Sequence, residues 1–219
     1  MKVFIGVGHG GSDPGAVAHN TKEKDLNLHI ALACRDELIR HGVGVKLSRT
    51  TDEDDPIAEE IRECNAFAPD LAVDIHNNAG GGDGAEVFYH YKGGKSKTLA
   101  VNILDEIVAL GQNSRGVKVK KNSKGQDAFG FIRETVAPAV IVEVCFIDNA
   151  TDLKFLATAN DRLKAGIAVA HGILKTLGVE IQGETIYRVQ VGAYRYKVSA
   201  ETMQKKLKAA GFDAIIVEK

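Results

Sequence analysis

The chain has 219 residues, 44% hydrophobic and 26% charged, with 28 Lys and Arg against 29 Asp and Glu and a formal net charge of -1. That is enough apolar material for one full core, and the balance excludes a global attraction to nucleic acid or to an anionic membrane. No apolar run reaches the roughly 18 residues of a membrane span, and three scattered cysteines (Cys34, Cys64, Cys145) exclude a disulfide framework and a Cys-rich zinc site.

Val3 to Val7 reads as a first strand, followed by a polar, glycine-rich loop and a helix carrying Leu26, Leu28, Ile30, Leu32, Leu38 and Ile39. His41-Gly42 stops that helix, and Val43 to Leu47 is a second strand. A helix is expected from Pro56 to Ala68, with Pro56 in its first turn, and a strand from Leu71 to Ile75. Glu86 to Tyr91 is a further strand, Ser96 to Leu110 a helix, and the basic stretch Gly111 to Gly130 a surface loop. Phe129 to Arg133 and Ala139 to Phe146 read as strands, the second so continuously apolar that it belongs in the sheet's centre. Leu163 to Leu177 closes the domain as a helix. The alternation predicts an α/β fold: an open, mainly parallel sheet flanked by helices.

After the polar linker 178–185 the pattern changes. Tyr187 to Val191 alternates as a strand, Ala200 to Ala210 is helical through Met203 and Leu207, and Ala214 to Val217 is a second strand. This small C-terminal β-α-β unit, 186–219, falls below the roughly 40 residues at which such a unit folds alone. It must pack on its own main domain, 1–177, or on a second chain.

Four polar residues sit where the ends of parallel strands converge: His9 and His76 just past strands, Glu23 at a helix start, and Glu143 inside the most apolar run. A carboxylate in Glu143's place is expensive without a partner or a task. Two imidazoles and one carboxylate are the ligand set of a catalytic zinc, and the remaining carboxylate can then act on water. A competing pattern is Gly6-Val-Gly8-His-Gly10-Gly11, which satisfies GxGxxG, with Arg49 placed to hold a 2′-phosphate. Ser12-Asp-Pro-Gly15 and the polar stretch to Thr21 delay the helix too far for such an NADP-dependent oxidoreductase.

The segments Gly8 to Ala16, Glu23, Asp74 to Ala79 and Ala139 to Asp148 resemble, in this order, the zinc-dependent N-acetylmuramoyl-L-alanine amidases of the amidase-3 class. Leu47 to Thr50, Arg62 with Asn65, Gly84 to Tyr89, Arg115-Gly116 and Ile132 to Glu134 support the resemblance. It implies that His9, Glu23 and His76 bind Zn²⁺ and that Glu143 is the catalytic carboxylate. Asn78 and Arg133 are candidates for orienting substrate, and Glu86 is expected to be structural. Tyr187 to Tyr194 with Ala200 to Leu207 and Gly211 to Ala214 is similar to one half of a SPOR-type peptidoglycan-binding module. The implied partner is peptidoglycan, with no nucleic acid and no membrane, and with a homodimer formed through the C-terminal unit. The opening Met1-Lys-Val-Phe-Ile5 turns glycine-rich too early for a secretory leader, so the expected location is the cytoplasm until a holin or cell lysis releases the protein to the wall. A phage endolysin and a mother-cell lysis enzyme of sporulation both fit. A non-catalytic peptidoglycan-binding protein retaining the fold is the alternative.

Overall fold

A computed structural model describes residues 1–183, 190–212 and 214–217. The elements are β1 (Lys2–Val7), a hairpin of β2 (Val17–Ala18) and β3 (Thr21–Lys22), α1 (Glu23–Arg40), β4 (Gly44–Leu47), α2 (Ile57–Phe67), β5 (Leu71–Asn78) and β6 (Ala85–Tyr89). They continue with α3 (Lys95–Ala109), β7 (Ser114–Lys118), α4 (Gly130–Glu134), β8 (Ala139–Phe146), a 3-10 turn (Asp152–Leu156), α5 (Ala159–Leu177) and α6 (Lys197–Ala209). The six-stranded sheet has the order β4-β1-β5-β8-β6-β7, parallel at every pairing except β6 with β8.

Strand alternation splits the apolar residues between two cores. Val3, Ile5 and Val7 of β1, with Val140, Val142 and Val144 of β8, face the core that also holds Ile30, Cys34 and Leu38 of α1, Ile103 and Ile107 of α3, and Val169 and Ile173 of α5. Phe4, Ala72 and Ile141 face the other way, against Ile61 and Cys64 of α2 and Phe131 and Ile132 of α4. The result is a three-layer α/β/α arrangement in which β8 and β5 are interior strands. Helix ends follow local chemistry: Thr158 and Asp161 form a reciprocal capping box on α5, and Gly178 ends it in the left-handed region.

Two expectations change. Phe129 to Arg133 is not a strand, because Phe131 and Ile132 both bury into the same core, and neighbouring residues share a side only on a helical turn. The basic loop contains the edge strand β7, which has little apolar pattern because an edge needs little burial; its Arg115 and Lys118 pair with Glu86 instead. Strand β5 also runs past Ile75, so His76, Asn77 and Asn78 belong to the sheet.

The chain divides into compact units Met1–Gln182 and Gly183–Lys219. In the first, Val179 and Ile181 pack on the core after α5, and the Gln182 backbone N–H donates to His41 Nε2 at 3.0 Å. In the second, α6 has no buried residue, and Gln204 Nε2 donates to the carbonyl of Ala214. The expected strand Tyr187 to Val191 falls largely outside the described residues, and Ala214 to Val217, expected as a second strand, is not in a strand. Among the described residues no helix is long and apolar enough to cross a membrane.

Helix α5 touches its neighbours through glycines. A Cβ on Gly166 would lie 2.4 Å from the Ile30 carbonyl oxygen, and one on Gly172 would lie 2.5 Å from Ile103 Cα. Helix propensity favours alanine by about 1 kcal/mol, but backbone cannot yield as a side chain does. Gly166→Ala and Gly172→Ala are each expected to destabilise the protein by about 1–3 kcal/mol net. Thermal melts check this, with a fall in Tm of about 2–4 °C per kcal/mol at this chain length.

Candidate metal centre

The site is built from the turn after β1. Gly8 donates to the Ile75 carbonyl, which carries the chain over the end of β5, and His9 then adopts φ 62°, a left-handed conformation uncommon for a residue with a side chain. The β2–β3 hairpin returns the chain so that α1 begins at Glu23 beside it. Glu23 Oε2 lies 3.2 Å from His9 Nε2, and its Oε1 lies 3.0 Å from His76 Nδ1. The ligating atoms of the three side chains are all within 4.8 Å of one another.

Each component is held from behind. Glu23 is 4% exposed and accepts from the backbone N–H groups of Ala16 at 3.0 Å and Asn77 at 3.1 Å. Asn27 Nδ2 donates to Gly8 O and also reaches Glu23 Oε1, while Asn77 Nδ2 donates to Asn27 Oδ1. The outward nitrogen of each imidazole meets a carboxylate: His9 Nδ1 lies 2.8 Å from Asp13 Oδ2, and His76 Nε2 lies 3.1 Å from Asp74 Oδ2. Those contacts hold the outward nitrogens as N–H donors, so once the imidazoles lose the protons they give to Glu23, His9 Nε2 and His76 Nδ1 are the atoms left to ligate, the carboxylate–histidine pattern of metal sites. One side of the rings faces an open pocket lined by Ser12, Asp54 and Ile57, while on the other side backbone approaches them closely. A Cβ on Gly8 would lie 2.2 Å from His76 Cε1, and one on Gly15 2.6 Å from His9 Cδ2 and 2.7 Å from Glu23 Oε2. Two imidazole nitrogens and one carboxylate oxygen, converging with fixed tautomers, fit a zinc ion with an open fourth position.

The electrostatics follow from the same contacts. Burial works to raise the Glu23 carboxyl, but the hydrogen bonds from His76 and His9 override it and hold the group far below the usual range. The bond to Glu23 raises His9, against burial. Burial works against a charged His76, yet the charge and hydrogen bond of Asp74 and the bond to Glu23 raise it well above the usual value. Glu143 differs. Burial pushes it to about 7, with the charges of Glu23, Asp74 and Glu86 acting the same way and His76 opposing.

Sheet register sets Glu143 beside the cluster. His76 on β5 is paired with Glu143 on β8, and Glu143 with Glu86 on β6, so the three lie side by side across adjacent strands. Glu143 Oε2 is buried and has no hydrogen-bond partner. Glu86 is fully engaged by Arg115 at 2.7 Å, by Lys118 and by Asn78 Nδ2 at 3.0 Å. Arg133 is not brought to the cluster: its guanidinium binds the carbonyls of Asp127 and Ala128 and the Glu134 carboxylate. Arg49 is 2% exposed and donates to the carbonyls of Val7, Gly8, Lys24 and Thr51, leaving no free fork for a phosphate. With a hairpin between the glycine turn and α1, the dinucleotide reading fails. Asp13, Asn27, Asp74 and Asn77 were missed in the sequence. Asp74 carried a usable signal, since like Glu143 it is a carboxylate inside an apolar run.

Comparison with known proteins shows the family. The N-acetylmuramoyl-L-alanine amidase family matches residues 3–175, and the SPOR domain matches residues 161–218. The chain is 32% identical over 219 residues to the N-acetylmuramoyl-L-alanine amidase CwlM of Bacillus licheniformis, covering 99% of this chain and 85% of that one. It is 34% identical over 224 residues to the sporulation-specific N-acetylmuramoyl-L-alanine amidase of Bacillus subtilis (strain 168), covering 100% and 85%. Among solved structures it is similar to the catalytic domain of CwlV, an N-acetylmuramoyl-L-alanine amidase from Bacillus (Paenibacillus) polymyxa var. colistinus. The TM-score there is 0.74 at 28% identity, over 82% of this chain and 99% of that one.

Both imidazoles must be neutral to ligate, and both are raised above the ordinary histidine value, so protons compete with metal already above about pH 6.5. Zinc affinity is expected to fall as pH is lowered through the raised histidine range, with a slope approaching about two protons per metal. Chelator competition across that range checks this; a pH-independent affinity would exclude the two histidines as ligands.

Proposed function

Because the chain belongs to the N-acetylmuramoyl-L-alanine amidase family, we propose that it is a zinc-dependent peptidoglycan hydrolase. It cleaves the amide between the lactyl group of N-acetylmuramic acid and L-alanine of the stem peptide. The observation that carries the reading is the convergence of His9, Glu23 and His76 beside Glu143, whose Oε2 is buried and has no hydrogen-bond partner. His9, Glu23 and His76 would hold the ion, and zinc there supplies Lewis-acid chemistry, polarising the amide carbonyl and making water acidic enough to attack near neutral pH. Glu143 takes the proton of the attacking water and passes it to the departing L-alanine nitrogen. A carboxyl near 7 accepts and returns a proton with little bias either way. Asn27 and Asn77 keep Glu23 aimed at the two imidazoles.

Residues 1–177 are the catalytic domain, 178–185 the linker and 186–219 the wall-binding unit, the SPOR match supporting the last. Two chains pair through that unit, which is consistent with an α6 that buries none of its residues. Asn78 and Arg133, the candidates for orienting substrate, already hydrogen-bond Glu86 and the carbonyls of Asp127 and Ala128 respectively, which weighs against that role for Arg133. The enzyme stays in the cytoplasm until phage or mother-cell lysis exposes it to the wall; the similarity to a sporulation-specific amidase over 85% of that protein supports the second route.

Glu143→Gln is expected to retain zinc and to lower the rate of peptide release from purified peptidoglycan by about 10²–10⁴-fold. The wild type is expected to expose new L-alanine amino termini. Unchanged release by the variant would remove Glu143 from the chemistry, and zinc without release in either protein would favour a non-catalytic wall binder. Light scattering at micromolar concentration is expected to give a dimer mass; a monomer mass would refute the pairing.

A further inference from the structure

Behind His76 lies a feature that metal ligation does not use. Glu60 of α2 and Asp74 of β5 are 4% and 2% exposed, and each has a buried oxygen without a hydrogen-bond partner, Glu60 Oε1 and Asp74 Oδ1. Both converge on Gly6 in β1. A Cβ at that position would lie 1.9 Å from Glu60 Oε1 and 2.8 Å from Asp74 Oδ1. A glycine inside a central strand is unfavourable unless something approaches the backbone closely, and here it is this pair of carboxyl oxygens. Two ionised carboxylates so close and so dry would each lack a donor. Arg49 does not supply one, since its nitrogens bind backbone carbonyls. A single proton between them would satisfy both orphaned oxygens. Glu60 is the group to carry it: burial, then the charges of Asp74 and Asp55, push its carboxyl well above the usual range. The other oxygen of Asp74 already faces His76 Nε2 at 3.1 Å, so it is Asp74 Oδ1 that is left to accept from Glu60.

We infer that Glu60 is a positioning residue for the metal centre: its carboxyl group donates to Asp74, and Asp74 in turn locks Nε2 of His76 as the N–H, leaving Nδ1 as the ligating atom. The chain of contacts runs from α2, across Gly6, to β5 and into the site. This rests on His76 being a metal ligand. It extends that reading, because Glu60 is outside the ligand cluster and lies on a helix packed against the opposite face of the sheet from α1. Gly6 is part of the device, since a methyl group there would separate the two carboxyl groups.

The test uses the full-length protein loaded with zinc and reads metal affinity by chelator competition, together with the exchange protection of the His76 Nε2 proton by NMR. Asp74→Ala is expected to weaken zinc binding by about 10–100-fold, the usual effect of removing an outer partner of a ligating histidine. It is also expected to expose the Nε2 proton to exchange. Glu60→Leu is expected to move both readouts in the same direction. Glu60→Gln is expected to restore both nearly to wild type, because its amide donates to Asp74 where the carboxyl group did. That variant also separates loss of a donor from loss of packing. The inference is overturned if Glu60→Leu leaves affinity and protection unchanged, or if Glu60→Gln is as damaged as Glu60→Leu. It is equally overturned if wild type binds two equivalents of zinc and Glu60→Gln one, which would make the carboxyl pair a second metal site. His76→Ala is the control on the underlying reading: full zinc affinity there would show that His76 is no ligand.

Discussion

A buried negative charge at the first turn of a helix is stable only if donors enclose it, and Glu23 is such a charge. Two imidazoles, two backbone N–H groups and the Asn27 amide enclose it. Those donors come from the turn after β1, the hairpin, α1 and the end of β5, so one carboxylate ties together segments far apart in the chain. The start of α1 helps, since the positive end of the helix favours an acid there. The unusual backbone of His9 and the side-chain-free positions Gly8 and Gly15 are consequences of closing four segments around so small a space.

Sheet register adds the second constraint. Glu143 and Glu86 are the same residue type on adjacent strands, paired directly across the sheet. Their partners make them different. Two cations and an amide hold Glu86 as a charged carboxylate, lowered despite its burial, whereas Glu143 has a bare, buried oxygen and sits near neutrality. Environment thus pushes two carboxyl groups of one type in opposite directions, the kind of division that acid–base chemistry uses. The edge strand β7 supplies both cations to Glu86, and a register shift in its pairing with β6 brings Arg115 and Lys118 to the same carboxylate.

The carboxylates around the imidazoles form a graded set. Asp13 is exposed and holds His9, while Asp74 is dry and holds His76 with Glu60 behind it. The two imidazoles are therefore supported unequally, one by a solvated partner on a loop and the other by a buried pair braced between a strand and a helix. The second arrangement is the stiffer, since its geometry is fixed by the sheet and by the missing side chain of Gly6.

By itself the sequence determined the alternation of strands and helices, the interior place of β8, the strand-end positions of His9 and His76 and the anomaly of Glu143 in an apolar run. Those are local properties: periodicity, turn residues and the cost of a charge among apolar neighbours. It misread Phe129 to Arg133, because a short apolar run has no period of its own and only the shared burial of Phe131 and Ile132 selects a helix. It missed β7, because an edge strand needs few apolar residues. Only the tertiary structure decided which carboxylates face which histidines, that Glu86 is neutralised while Glu143 is not, and that Glu60 meets Asp74 over Gly6. Each of these depends on register and on distances between segments remote in sequence, and the energy of a buried charge is set by what lies across the gap from it, which no single segment encodes.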